Sequence, residues 1–514
     1  MAASATAQVL SPGDVLGFPI ERIGRFGACQ ILATNPEKPQ VAVAVLDWTG
    51  EHMPTLDDVA DVPPLVKDFM FWQSQEITKN VPLPAPSHYR MVGTLPVRGA
   101  TESRSYGDWN FDDNIARQQR WNALPRELTA AFKASLESKQ TVAIPGLVHG
   151  DSGECMEMRL GAARRFSDDA AYRITSDFRM ASLQAWPALY QIFLEAWRED
   201  LLPFLQSSPL VSELSLIGHG QREIDLSRTH LDQLTIDIDG LERLVLPDSM
   251  AQLTLRGKGV PERLQVVAVG NGRWISVRAS GTVPSVRGLE GARGLRLDSM
   301  AKLDLGEAAD IFPGVEYLHV FGAPGMLTGL AALSTLPKLE ALWLCDLFGY
   351  GPEEFPAPGQ LPTLTSLSLD SLPADVAAAV RKAYKKASRV DLSVSKPRAA
   401  EWLEENLENP LRQWDGREGM SPTVVKKTRT AFVAALRNVR AAEAIRGDDA
   451  AYAATVTGAV SDFLDVIAAL NRKHGFLYTL ERDEVVDAVG VLTRQLSQPA
   501  RVALDPILEK ALDD

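Results

Sequence analysis

The chain has 514 residues, 45% of them hydrophobic and 23% charged, globular proportions that exclude wholesale disorder. That length leaves room for about two to four domains. A net charge of −13 argues against a general nucleic-acid or anionic-membrane binder, since both need a basic footprint.

The N-terminus, Met1 to Leu10, lacks a basic start followed by an apolar core, so no secretory signal is expected. No run of about 18 apolar residues is read anywhere, so no membrane span is expected. Cys29, Cys155 and Cys345 are odd in number and far apart. They predict no disulfide framework, and a cytoplasmic location follows.

The first predicted domain, residues 11–98, is small and β-rich. Asp14–Ile20, Ala28–Ala33, Val41–Asp47 and Tyr89–Leu95 read as strands broken by glycines and by a turn cluster at Asn35 to Pro39. The apolar stretch Leu65–Trp72 predicts a helix. The segments Pro12–Pro19, Arg25–Ile31 and Leu46-Asp47-Trp48 resemble a bacterial toxin-neutralising family, the immunity protein 26 family. That resemblance implies an immunity or antitoxin role.

Residues 99–208 read as an α+β connecting and capping segment. A polar loop spans Thr101–Asn114, a helix Pro125–Leu136, and a strand pair Thr141–Ile144 and Glu154–Leu160. A second helix is predicted over Pro187–Leu202, with Pro187 in its first turn and Leu189, Ile192, Phe193, Ala196, Trp197 and Leu201 at helical spacing. Its aromatic residues Trp186, Tyr190, Phe193 and Trp197 read as core.

From residue 209 to 395 one phrase recurs, Leu-x-x-Leu-x-Leu or a close variant, as in Leu231–Ile236, Leu339–Leu344 and Leu364–Leu369. Its anchors are Leu214, Leu234, Leu253, Ile275, Leu295, Leu318, Leu342 and Leu367, in steps of 19 to 25 residues. Such a period with alternating apolar residues predicts stacked strand-plus-connector units. A second apolar set, Ile224–Leu226, Leu244–Leu246, Leu264–Val266 and Leu303–Leu305, predicts extended backbone on both sides of the early units. Later connectors, Leu327–Leu336 and Pro373–Lys386, read as helical. These phrases resemble the leucine-rich repeat superfamily, which implies an α/β solenoid. The family's asparagine after the third leucine is replaced by His219, Asp239, Lys258, Ser280 and Met300, so an irregular ladder is expected.

Residues 396–514 predict a helical C-terminal cap. Ser421-Pro422 marks one helix start, Asp462–Leu470 continues the pattern, and Thr479 is read as the cap of a helix reaching Leu496. Lys396–Arg398 and Asn409–Arg417 are similar to segments of bacterial leucine-rich repeat proteins of unassigned function.

Candidate chemistry is sparse. His149–Glu154 contains Gly-Asp-Ser-Gly, similar to the nucleophile segment of chymotrypsin-like proteases, but the flanking residues fit a turn between strands. An enzymatic site would have to lie around Asp108, Trp109, His149 and Asp151. The seven histidines show no metal-ligand spacing, and no phosphate-binding Gly-rich motif precedes Lys-Ser or Lys-Thr. No cofactor or metal is therefore expected. Gly288, Gly291 and Gly294 read as turn glycines. The basic cluster Arg381, Lys382, Lys385, Lys386 and Arg389 fits either a solvated helix face or an acidic partner.

The repeat phrases carry the stronger functional signal. Strand side chains alternate, so the residues between the leucines form outward columns. One column reads Ser215, Thr235, Thr254, Ser276, Arg296, His319, Trp343 and Ser368. Its neighbour includes Arg278, Asp298, Phe321, Cys345 and Asp370. Arg278, Arg296, Asp298, Tyr317, His319, Phe321 and Trp343 have a hot-spot composition. The expected function is non-enzymatic recognition of another protein through the concave face of the solenoid.

Overall fold

Near-continuous apolar runs between Asp14 and Gly50 form three antiparallel strands, Asp14–Ile20, Arg25–Asn35 and Gln40–Gly50, flanked by Thr78–Pro82 and Arg90–Thr94. A computed structural model describes residues 10–35, 37–86, 88–98, 103–149, 153–168, 172–257, 263–415, 417 and 420–513. One face of this sheet buries Leu16, Phe18, Ile20, Cys29 and Ile31 against Tyr89, Trp109 and Phe111, and the other buries Val15, Ala28 and Leu46 against Val59. Burial on both faces explains why these strands read as almost continuous apolar runs.

Leu65–Trp72 is not the predicted helix. Val66–Lys67 is extended, Leu65 N–H donates to the Val45 carbonyl at 2.8 Å, and Ile77 N–H donates to the Leu65 carbonyl at 2.9 Å. Backbone pairing to the sheet outcompetes local helix formation in this apolar stretch. Conversely, the end of the polar loop is a helix, Asp112–Asn122, burying Ile115, Ala116 and Trp121.

The chain divides into two units, Met1–Arg296 with Asp310–Tyr317, and Leu297–Ala309 with Leu318–Asp514. Eleven strands are hydrogen-bonded side by side in one sheet, in chain order: Arg165–Ser167, Gln191–Leu194, Glu213–Leu216, Gln233–Asp237, Gln252–Arg256, Ser276–Ser280, Gly294–Asp304, Tyr317–Thr328, Ala341–Phe348, Ser366–Pro373 and Asp391–Arg398. Neighbours run parallel with the leucines in register, as in Leu214 beside Leu234 and Leu253, and Leu342 beside Leu367 and Leu392.

This large parallel sheet in a mixed α/β chain overturns the expected leucine-rich repeat solenoid. In-register leucines specify parallel strand stacking, but they do not specify a uniform coil. Strand lengths here run from 3 to 12 residues. Connectors also differ in kind. Short strands Glu223–Asp225, Arg243–Val245, Leu264–Val267 and Val286–Arg287 form their own four-stranded sheet in the first unit. In the second unit the connectors are a 3-10 turn at Leu330–Thr335 and a helix at Ala374–Tyr384. His219, in a slot where the repeat family carries asparagine, is buried and its Nε2 lies 2.7 Å from the Asp237 carbonyl. Its Nδ1 accepts from Gln221 N–H at 2.9 Å, which assigns the proton to Nε2. Lys258 lies outside the described residues.

The predicted helix over Pro187–Leu202 is absent. Gln191–Leu194 is a strand of the large sheet, and helix begins only at Leu201. Leu189, Ile192 and Leu194 repeat the strand phrase once more, so the array begins earlier than the leucine count suggested; Phe193 and Trp197, read as core, are half-buried, and Trp186 is buried. Gly288 and Gly291 mark close backbone approach: a Cβ at Gly288, with φ +86°, would lie 1.8 Å from the Val266 carbonyl oxygen, whereas Gly294 opens a strand and lies against the Ser276 side chain.

In the second unit, helices Pro422–Ala442, Asp449–His474 and Thr479–Thr493 share one apolar core containing Trp414, Phe432, Val456, Phe463 and Val485. Ser421 caps the first, its hydroxyl accepting from Val424 N–H at 3.3 Å. Thr479 is not a cap but the first helical residue; the Glu481 carboxylate accepts from Tyr478 N–H at 3.3 Å. Asp449–His474 is the one helix among the described residues long and apolar enough to cross a membrane, contrary to the expectation of none. Its Val456, Val460, Phe463 and Ile467 pack into the helical core.

Candidate functional site

In the second unit, Leu342 and Leu344 point inward from Ala341–Phe348 while Trp343 and Cys345 point out. Pairing sets Trp343 beside Ser368, which pairs in turn with Ser393, and Cys345 beside Asp370, which pairs in turn with Ser395. Trp343 is 39% exposed. Its ring stands edge-on to His319 at 5.6 Å and to Phe321 at 5.0 Å, both from Tyr317–Thr328. Three aromatic side chains thus share one outward face, and the edge-on geometry fixes the indole from one side.

A polar row borders them. Ser395 Oγ donates to Asp370 Oδ1 at 2.7 Å, and the Cys345 thiol lies 3.7 Å from Asp370 Oδ2. Burial, reinforced by the Asp370 and Asp346 carboxylates, pushes the Cys345 thiol up to about 12, so it stays protonated and acts as a donor. One residue further, Asp346, Ser371 and Lys396 all adopt left-handed backbone, with φ of 56°, 51° and 46°. These aligned left-handed residues end the flat face in a bend.

Side chains hold that bend. Ser371 Oγ donates to Asp346 Oδ1 at 3.0 Å and accepts from Arg398 Nε at 3.1 Å. Arg412 reaches Asp346 Oδ2 through Nε and Nη2, each at 3.3 Å, and donates from Nη1 to the Asn409 carbonyl at 3.2 Å.

The predicted residues divide between the units. Asp298, His319, Phe321 and Trp343 belong to the second, and the aromatic three come together there. Arg278, Arg296 and Tyr317 belong to the first. Arg278 is exposed and Arg296 half-buried. Tyr317 lies under the Arg293 guanidinium at 5.4 Å, and Arg293 also pairs with Glu316 at 2.8 Å and Asp112 at 3.7 Å. Arg293, Glu316, Asp370 and Asp346 were missed as interacting groups because their partners lie 23 or more residues away, or follow a bend that strand alternation does not encode.

The other candidates lie elsewhere. Trp109 is buried and its Nε1 donates to the Pro82 carbonyl at 2.6 Å, a structural role. Asp108 is exposed. Gly150, Asp151 and Ser152 lie outside the described residues; around them His149 N–H donates to the Glu154 carbonyl at 2.9 Å, as in a hairpin. Within the basic cluster, Arg381 donates to the Val394 carbonyl at 2.9 Å and Arg389 to the Leu361 carbonyl at 3.0 Å. Among the described residues, no group of three or more His, Cys, Asp or Glu side chains could hold a metal ion.

No protein-family model matches the chain, and no curated protein matches it.

Proposed function

We propose that this protein recognises another protein, without catalysis, through the outward face of the sheet in its second unit, with Trp343 as the anchor. The observation that carries this reading is a large indole left 39% exposed yet braced by two edge-on rings. Water gains nothing from such an arrangement, whereas a partner gains apolar area from a side chain that has already lost much of its rotamer freedom. Ordering a mobile side chain at an interface costs about 0.5–1.5 kcal/mol, and a braced anchor avoids most of it. The adjoining Cys345, Asp370 and Ser395 supply a polar rim that orients the partner.

The test is the double substitution Trp343→Ala and His319→Ala, compared with the intact chain in quantitative affinity capture from the native host. A hot-spot anchor worth about 2 kcal/mol or more lowers affinity by roughly thirtyfold. The melting temperature should hold, because neither side chain is in the core. Recovery of the same partners at the same yield by the double variant would end this reading.

A further inference from the structure

A second surface lies on the helical connector between the last two strands of the second unit. Helix Ala374–Tyr384 buries Val376, Ala377, Val380 and Tyr384 and packs on the two strands it joins, Ser366–Pro373 and Asp391–Arg398. Its other face and the turn after it expose Arg381, Lys382, Lys385, Lys386 and Arg389. Residues 374–390 thus hold five cations and one carboxylate, a local +4 in a chain of net −13. That carboxylate, Asp375, sits in the first turn, at the far end of the helix, and accepts from Val376 N–H at 2.9 Å.

Two ordinary explanations for such a cluster fall short. Internal ion pairing is one. Arg381 donates to the Val394 carbonyl at 2.9 Å, and Arg389 to the Pro358 and Leu361 carbonyls at 2.6 and 3.0 Å. These neutral acceptors fix the guanidinium groups without cancelling their charge. Among the described residues, none of the five cations is in an ion pair with a carboxylate. The loop against the helix end, where Tyr384 donates to the Pro356 carbonyl at 3.0 Å, carries Glu353 and Glu354, but both carboxylates turn back on Gly351. Asp391, in register with Ser366, belongs to the outward sheet face, across the leucine layer from the helix. The helix dipole is the other explanation, and it amounts to only about half a charge at the C-terminal end.

We infer that this patch binds a short acidic segment of a partner protein, whose carboxylates meet Lys382, Lys385 and Lys386. The size of the patch selects this occupant. Arg381 to Lys385 covers about 6 Å of helix axis. With Lys386 and Arg389 the patch therefore meets only a few extended residues, at about 3.3 Å each. A nucleic-acid duplex, with a charge every ~1.7 Å, or an anionic bilayer runs well past it and meets a remainder that is strongly negative. The apolar side of the helix is buried, so it offers a bilayer nothing to insert.

The test is fluorescence anisotropy on the intact protein at low salt with three labelled probes. They are a peptide of alternating Glu and Ser, the same peptide with Gln for Glu, and a single-stranded oligonucleotide of matched charge. Sedimentation with phosphatidylglycerol vesicles forms a fourth arm. The Glu peptide should bind, and the Gln peptide should not. In Lys382→Gln/Lys385→Gln/Lys386→Gln, affinity for the Glu peptide should fall at least about tenfold, the scale of three exposed charge contacts. All three positions are exposed, so this variant should melt as the parent does. Trp343→Ala, on the outward sheet face, should leave peptide binding unaltered. The proposal is overturned by no binding of the Glu peptide, by equal binding of the two peptides, or by undiminished binding in the triple variant. Tighter binding of the oligonucleotide or the vesicles than of the Glu peptide, or loss of peptide binding in Trp343→Ala, overturns it as well.

Discussion

At the level of single residues, the most exacting position is Asp346. It holds a left-handed backbone, accepts a hydrogen bond from Ser371, and is the carboxylate facing Arg412, which is only 9% exposed. Burial disfavours the Arg412 charge, and Asp346 offsets that cost. Removing one member of a buried pair is worse than never having had the pair, because the other charge stays uncompensated. Asp346→Ala should therefore destabilise the second unit by about 3 kcal/mol or more, whereas Asp346→Asn, which keeps hydrogen bonds to Arg412 and Ser371, should cost visibly less. Chemical denaturation of both variants would check the order; equal losses would show that the lost charge, common to both variants, carries the effect, and not the hydrogen bonds or the bend.

Among the elements, the helix Thr479–Thr493 is tied to the chain before Pro422–Ala442 mainly through Glu484, with Glu481 accepting one further bond from Arg417 at 3.0 Å. Glu484 accepts from Trp414 Nε1 at 2.7 Å and from both terminal nitrogens of Arg417, at 2.7 and 2.6 Å. Burial pushes the Glu484 carboxyl up, but the bonds from Arg417 and Trp414 outweigh it and hold it below its usual 4.5. A depressed folded value means this stabilisation is complete above the unfolded value and is lost as pH falls through the folded one. The stability advantage of the parent over Glu484→Gln should thus be full at pH 7 and shrink below about pH 4.5; an advantage independent of pH would assign it to packing instead. None of this was legible in advance, since Arg417 and Glu484 are 67 residues apart. Local signals served where the element is self-contained: Ser421-Pro422 announced its helix, and the alternation around Leu342 and Leu367 announced its strands and which residues face out. They failed at Pro187–Leu202 and Leu65–Trp72, where apolar spacing fits helix and strand alike and only pairing with a neighbouring strand decides.

For the molecule as a whole, the leucine phrase gave the register of the large sheet but not its setting, because the groups that join the N-terminal sheet domain to that sheet are polar and scattered. Within the first unit, Arg22 donates to the Ser249 and Met250 carbonyls, and Arg120 donates to the Ser249 carbonyl at 3.3 Å. Arg117 pairs with Asp232 at 3.6 Å, Arg273 with Glu21 at 3.6 Å and Arg293 with Asp112 at 3.7 Å. These contacts fasten the turn Glu21–Ile23 and the helix Asp112–Asn122 to residues that precede the sheet strands. Guanidinium bonds to carbonyls lose little to salt when buried, and the Arg22 side chain is 10% exposed, whereas Arg273 and Arg293, at 27% and 28%, feel more of the solvent. Arg22→Ala removes donors from two carbonyls and a partner from Asp113, a loss of roughly 2 kcal/mol. Backbone amides at Glu21–Ile23 and Ser249–Met250 should then exchange hydrogen faster by about tenfold or more, while those of Asp14–Ile20 and Gln233–Asp237 keep their protection. If exchange rises equally in all four segments, Arg22 supports the whole unit rather than the junction; if it rises in none, the junction is held by other contacts, and Arg22 is dispensable to it.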